Sequence, residues 1–154
     1  MESKKALVYG YGNPGRQDDA LGIVMADNIS AWAKKKGYSS LETDQNYQLN
    51  IEDANKITAY DLVVFVDASV IDIDTYLLEK VHPDLKTDFS MHSCSPSFIL
   101  GLCREISKNY PVVYQLHIKA YEFEFMKELS EPARKNLAAA ENYLKKFLLK
   151  SLKL

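Results

Sequence analysis

The sequence predicts an α/β fold: one three-layer α/β/α domain over residues 1–154, with a mostly parallel, twisted sheet flanked by helices. Three observations lead there. Short apolar runs alternate with stretches of helical periodicity along the chain. The run "LVVFVDA" is apolar at consecutive positions, as a strand covered on both faces must be. Parallel neighbours also need crossover connections, and the intervening helical stretches are of the right kind to supply them. A chain of 154 residues, 47% of them hydrophobic, is large enough for one real core.

The first strand is expected at Ala6 to Tyr9, stopping at Gly10. The turn "GYGNPGRQDD" follows. Leu21, Ile23, Val24, Ile29, Trp32 and Ala33 then recur at helical spacing until "KKKG", where three lysines suit the negative end of the helix dipole and Gly37 a C-cap. A second strand is expected within "YSSLETDQ", a short helix in "NIEDANKITAYD", and the central strand at "LVVFVDA". A short helix is expected around Thr75 to Val81, and a weak strand near "DFSMH". Ser95 reads as an N-cap with Pro96 at the first helical position, launching "SFILGLCREISKN". "VVYQLHIKAYEF" is the last strand, and Ser130 with Pro132 opens the closing helix.

Composition narrows the function. The formal net charge is -2 and the pI about 5.9. That leaves no positive excess to neutralise a phosphate backbone or an anionic bilayer, so neither nucleic acid nor membrane is an expected partner. No apolar stretch spans a bilayer, and "MESKKALVYGYG" runs into glycines where a signal peptide would continue its apolar region. Cys94 and Cys103 are the only cysteines and make neither a disulfide framework nor a zinc pattern, which points to the reducing cytoplasm.

In an open α/β sheet, ligands bind beyond the carboxyl ends of the strands. Asp18 and Asp19 follow the first strand, Asp67 ends "LVVFVD", and His92 precedes the helix capped by Ser95. Two carboxylates and an imidazole meeting at one edge form a coordination set for a divalent transition metal, with positions left for substrate. Each residue also has an ordinary alternative: Asp18 or Asp19 as a helix cap, Asp67 bonded to loop amides, His92 as a polar loop residue. "GYGNPG" also has the spacing of a dinucleotide loop, but two aspartates beside a pyrophosphate would repel it. Cys94 lacks the base geometry of a nucleophile and reads as structural, as does Cys103. His82 and His117 read as loop and strand residues.

The pattern resembles the hydrogenase maturation endopeptidases, which trim the C-terminus of the nickel-containing large-subunit precursor. The resemblance rests on Gly10, Gly12, Asn13, Asp18, Asp19 and Gly22 of the first motif, on "YQLNIEDANKITAYDLVVFVDA", on "MHSCSPSFILGL" and on "ELSEPARKNL". It implies that Asp19, Asp67 and His92 are the metal-recognising and catalytic residues. Asn13, Asp18 and Asp44 are supporting candidates, Asp44 as an acid in the loop after the second strand. It further implies that nickel arrives with the precursor, so that no tightly bound metal is expected in the isolated protein. Ala20 and "HIKAYEFEF" depart from the family pattern and bear on the substrate groove and the choice of client. "GNPG" is also similar to the opening of peptidyl-tRNA hydrolases, but no histidine follows soon after it here. A non-catalytic protein that binds metal or precursor at the same residues is the third alternative.

Overall fold

The computed structural model describes residues 4–86 and 94–154. Strand β1 (Ala6–Tyr11) leads through a 3-10 turn at Gln17–Ala20 into helix α1 (Leu21–Lys36). Strand β2 (Leu41–Asn46), the short helix α2 (Asp53–Lys56) and strand β3 (Leu62–Ser69) follow. Strand β4 (Tyr76–Lys80), helix α3 (Pro96–Ile106), strand β5 (Val112–Lys119) and helix α4 (Glu131–Leu152) complete the order. The sheet runs β2-β1-β3-β5-β4; β4 alone is antiparallel to its neighbour.

The consecutive apolar residues of β3 have a direct cause. Successive side chains of a strand point to opposite faces, so a strand covered on both sides must be apolar throughout. Val64 and Val66 join Val8, Leu116 and Ile118 in a core under α1 and α4. Val63 and Phe65 join Leu7, Tyr9 and Val113 in a second core under α2 and α3. Both cores sit on one sheet, which gives the three layers expected from the sequence.

Helix α1 buries Leu21, Met25, Ile29 and Ala33, a single stripe at helical spacing, and ends at Gly37, whose φ of 72° is the left-handed conformation of a C-cap. Ser95 and Ser130 cap α3 and α4, accepting hydrogen bonds from the amides of Phe98 at 3.1 Å and Ala133 at 3.4 Å. Backbone meets backbone where β1 passes α1. A Cβ built on Gly10 would lie 1.9 Å from the carbonyl oxygen of Gly22, so this close approach admits no side chain.

Three expectations need correcting or placing. The segment expected as a helix around Thr75 to Val81 is the edge strand β4. Its Tyr76 and Leu78 pack on the α1/α4 core while Leu77 is exposed, a period of two that five residues do not distinguish from half a helical turn in sequence alone. The last strand stops pairing at Lys119, because β3 ends at Ser69 and offers no further ladder partner; residues 120–129 run on as a loop. The weak strand near "DFSMH" falls outside the described residues, as does His92.

Candidate active site

The carboxyl ends of β1 and β3 define the candidate site. Alternation continues past the second core: Leu7, Tyr9 and Tyr11 share one face of β1, and Val63, Phe65 and Asp67 the same face of β3. Gly10 pairs with Val66, so Tyr11 and Asp67 stand side by side at the end of the ladder. Asp67 is half-buried there, and Tyr11 hydrogen-bonds its carboxylate.

Asp19 reaches the same place from the 3-10 turn after β1. Its Oδ2 accepts the backbone N–H of Asn13 at 2.8 Å. Gly12 makes this possible: its φ is 141°, and a Cβ there would lie 2.1 Å from the carbonyl oxygen of Asp19. The Asn13 side chain closes the turn locally, its Oδ1 accepting the Gly15 N–H at 2.8 Å. With the Asn13 amide taken by a carboxylate, the turn is unlike a phosphate cradle, whose amides point outward to an anion.

The two acids feel each other. Burial, then the charge of Asp19, pushes the Asp67 carboxyl up to about 7, against the opposing hydrogen bonds from Tyr11 and the Ala68 amide. A pair of this kind favours whatever removes its repulsion, whether a proton or a cation. Among the described residues no group of three His, Cys, Asp or Glu is gathered to hold a metal; Asp19 and Asp67 supply two donors.

Asp18, adjacent in sequence, points the opposite way. It is fully buried and accepts four hydrogen bonds: from the amides of Tyr121 (2.9 Å), Glu122 (3.0 Å) and Ser130 (2.8 Å), and from the Ser130 hydroxyl (2.7 Å). Burial raises its carboxyl, but these bonds outweigh it and hold the group below the ordinary aspartate value. Asp18 therefore fastens the loop after β5 to the loop after β1. Neither aspartate caps α1, whose N-cap is Ala20.

Asp44 lies within β2, not in the loop after it. It pairs in register with Tyr9, which in turn pairs with Phe65, so it sits two strands from Asp67 and one alternation below it. Its carboxylate holds the Lys56 ammonium and accepts the Gln45 amide at 2.8 Å. These partners give Asp44 a local role in joining β2 to α2.

Sequence reasoning missed three residues around Asp67: Tyr11, Gln115 and His117. Gln115 of β5 donates its Nε2–H to the Tyr11 hydroxyl at 3.0 Å, which leaves the tyrosine proton directed at Asp67. His117 is the register partner of Asp67, but its Nε2 is turned to Glu79 at 3.4 Å; burial lowers its pKa despite that acid. Period-two alternation from the apolar positions of β1, β3 and β5 would have put Tyr11, Asp67, Gln115 and His117 on one face. Removing the tyrosine donor gives a direct test of this network. Tyr11→Phe is expected to raise the Asp67 pKa further, by about one unit, since a hydrogen bond to a charged group is worth about 1.5–3 kcal/mol and part of it is replaced by water. Carboxyl carbon NMR titration reads that shift.

Cys103 is buried in the α2/α3 core, which pushes its thiol pKa up and makes it inert.

No protein-family model matches the sequence, and no curated protein matches it. Solved structures do. The NiFe hydrogenase maturation protease HycI from Thermococcus kodakarensis superposes with a TM-score of 0.73 at 21% identity, covering 96% of this chain and 94% of its own. The hydrogenase maturating endopeptidase HybD from E. coli gives a TM-score of 0.72 at 16% identity, over 96% and 93% of the two chains. A hydrogenase 2 maturation peptidase from a Thaumarchaeota archaeon gives 0.68 at 20% identity, over 94% and 98%. Over nearly its whole length, this chain has the fold of these maturation proteases.

Proposed function

We propose that the protein is an endopeptidase that removes a C-terminal extension from a nickel-loaded hydrogenase large-subunit precursor, recognising the metal through Asp19, Asp67 and His92. The observation that carries the reading is the convergence of Asp19 and Asp67 at the carboxyl edge of the sheet, close enough for one charge to raise the pKa of the other. The likeness of fold and the resemblance of the first motif agree with it.

The chemistry follows from the pair. Two carboxylates that repel one another gain from a divalent cation, and here the cation belongs to the substrate. A precursor without nickel offers nothing to relieve the repulsion, so loading acts as a checkpoint. Asp19, Asp67 and His92 would hold the metal that the precursor brings, and that metal would polarise the scissile carbonyl or lower the pKa of a water. Among the described residues no helix is long and apolar enough to cross a membrane. We assign the reaction to the cytoplasm, where the two cysteines would stay reduced.

Incubation with nickel-loaded and nickel-free precursors, followed by mass spectrometry of the client, tests the reading. Loss of a C-terminal fragment from the loaded form alone is the expected result. An unchanged loaded precursor overturns it; binding without mass loss identifies a non-catalytic accessory protein.

A further inference from the structure

The turn before Asp19 carries a second arrangement that the carboxylate pair does not use. Arg16 is exposed, yet its side chain is held on three sides. Its Nε donates to the Phe123 carbonyl at 3.2 Å, and its guanidinium lies 5.6 Å from the Phe123 ring centroid and 5.8 Å from that of Phe125. Among the described residues no carboxylate pairs with it, whereas the nearby Arg134 is paired with Glu128 at 3.0 Å.

The backbone around it is held in costly conformations. Gln17 has φ 45° and Met126 φ 63°, both left-handed at residues other than glycine. Each is secured: the Gln17 Oε1 accepts the Glu124 amide at 3.1 Å, and Met126 donates its N–H to the Gly15 carbonyl at 2.9 Å. Strain of this sort persists where surrounding structure enforces it, and it tends to gather at ligand clamps. Phe125 and Met126 remain 71% and 93% exposed, beside a cleft of about 410 Å³ lined by Pro14, Gly15, Met126 and Leu129.

We propose that Arg16 is a docking residue for a carboxylate of the peptide extension, held while the scissile bond lies over Asp19 and Asp67. This rests on the protease reading above. An arginine loses about 2 kcal/mol of rotamer freedom when it is fixed. Here the two rings and the Phe123 carbonyl have already fixed it, and its terminal N–H groups are left for the two oxygens of a carboxylate. Only Gln17 and Asp18 separate Arg16 from Asp19, which places that contact at the rim of the same site. The carboxylate is either the C-terminal group of the extension or an acidic side chain within it.

Steady-state trimming of the purified loaded precursor tests the inference. Arg16→Gln is expected to raise KM about 10- to 100-fold, the worth of a charged hydrogen bond, with kcat within about twofold. Two altered precursors separate the sources. One has the acidic side chains of its extension changed to amides; the other has two residues appended, which displaces the terminal carboxylate. One of them should raise KM for the wild type and leave KM for Arg16→Gln unmoved. If side chains are the source, Arg16→Glu should recover on a precursor carrying lysine at that position; a merely structural arginine is not rescued by a change in the client. Wild-type KM in Arg16→Gln overturns the inference. So does a wild type indifferent to both altered precursors, a test that stands even if the arginine variants do not fold. A wild type that trims no loaded precursor overturns the protease reading, and this inference with it.

Discussion

Asp67→Asn is expected to abolish trimming, by about 1,000-fold or more, while making the isolated protein more stable at neutral pH. The activity loss follows from the proposed chemistry: a metal that polarises a carbonyl or activates a water contributes several kcal/mol to the transition state, and an amide holds it poorly. Stability moves the other way because the native carboxylate is in an unfavourable place. Burial and the Asp19 charge raise its pKa to about 7 from an ordinary value of 3.8. Between those values the folded protein binds a proton that the unfolded chain does not, so this group's contribution to stability falls as pH rises through the window. The penalty is fully present above about 7 and gone below about 4. Melting temperatures of chelator-treated protein should therefore fall between about pH 4 and about pH 7 in the wild type and fall less in Asp67→Asn. Asp19→Asn should also abolish trimming, and it should lower the Asp67 pKa by removing the neighbouring charge. A variant that trims normally, with no change in either measurement, would sink the assignment of the pair.

Asp18→Ala should be the most destabilising of the acid substitutions, at about 4 kcal/mol, and it should cost activity indirectly. Three backbone N–H groups and one hydroxyl lose a charged acceptor in a buried position, and each donor left without a partner costs about 1–3 kcal/mol before water or relaxation recovers some of it. Denaturant titration measures the loss. The linkage sign is opposite to that of Asp67. Because the folded pKa lies below the ordinary value, the stability that Asp18 contributes is present above the unfolded pKa and is lost as pH falls through the folded one. Adjacent aspartates thus give opposite signatures: loss of Asp19 spares the fold and stops the reaction, whereas loss of Asp18 loosens the loop that carries Phe123 and Phe125.

Much of this was legible in the sequence, for identifiable reasons. β3 was plain because a strand buried on both faces has to be apolar at every position. The caps Ser95 and Ser130 were plain because a serine followed closely by proline has few other local uses. β4 was not, since five residues at a sheet edge carry too few turns of either period, and their partner β5 comes later in the chain. Asp19 and Asp67 were placed correctly at one edge by the rule for parallel sheets. The division of labour between Asp18 and Asp19 was not readable from residues alone. It depends on a loop about a hundred positions away, to which only one of the two carboxylates points. Asp44 was displaced from the expected loop because β2 extends to Asn46, one residue past the segment the sequence suggested. Arg16 drew no notice as a charge in a turn; its meaning comes from two phenylalanines after the last strand.

The grip of Asp18 on residues 121–130 also sets when the turn that carries Asp19 is anchored during synthesis. The first three strands can pair as soon as Ser69 has left the ribosome, but β4 has β5 as its ladder partner and must wait for it. The loop carrying Asp19 gains its anchors later still, once Tyr121, Glu122 and Ser130 appear. A nascent chain stalled before Ser130 therefore has both acids and no assembled site. The order of translation thus delays the anchoring of the Asp18–Asp19 turn until residue 130 has emerged.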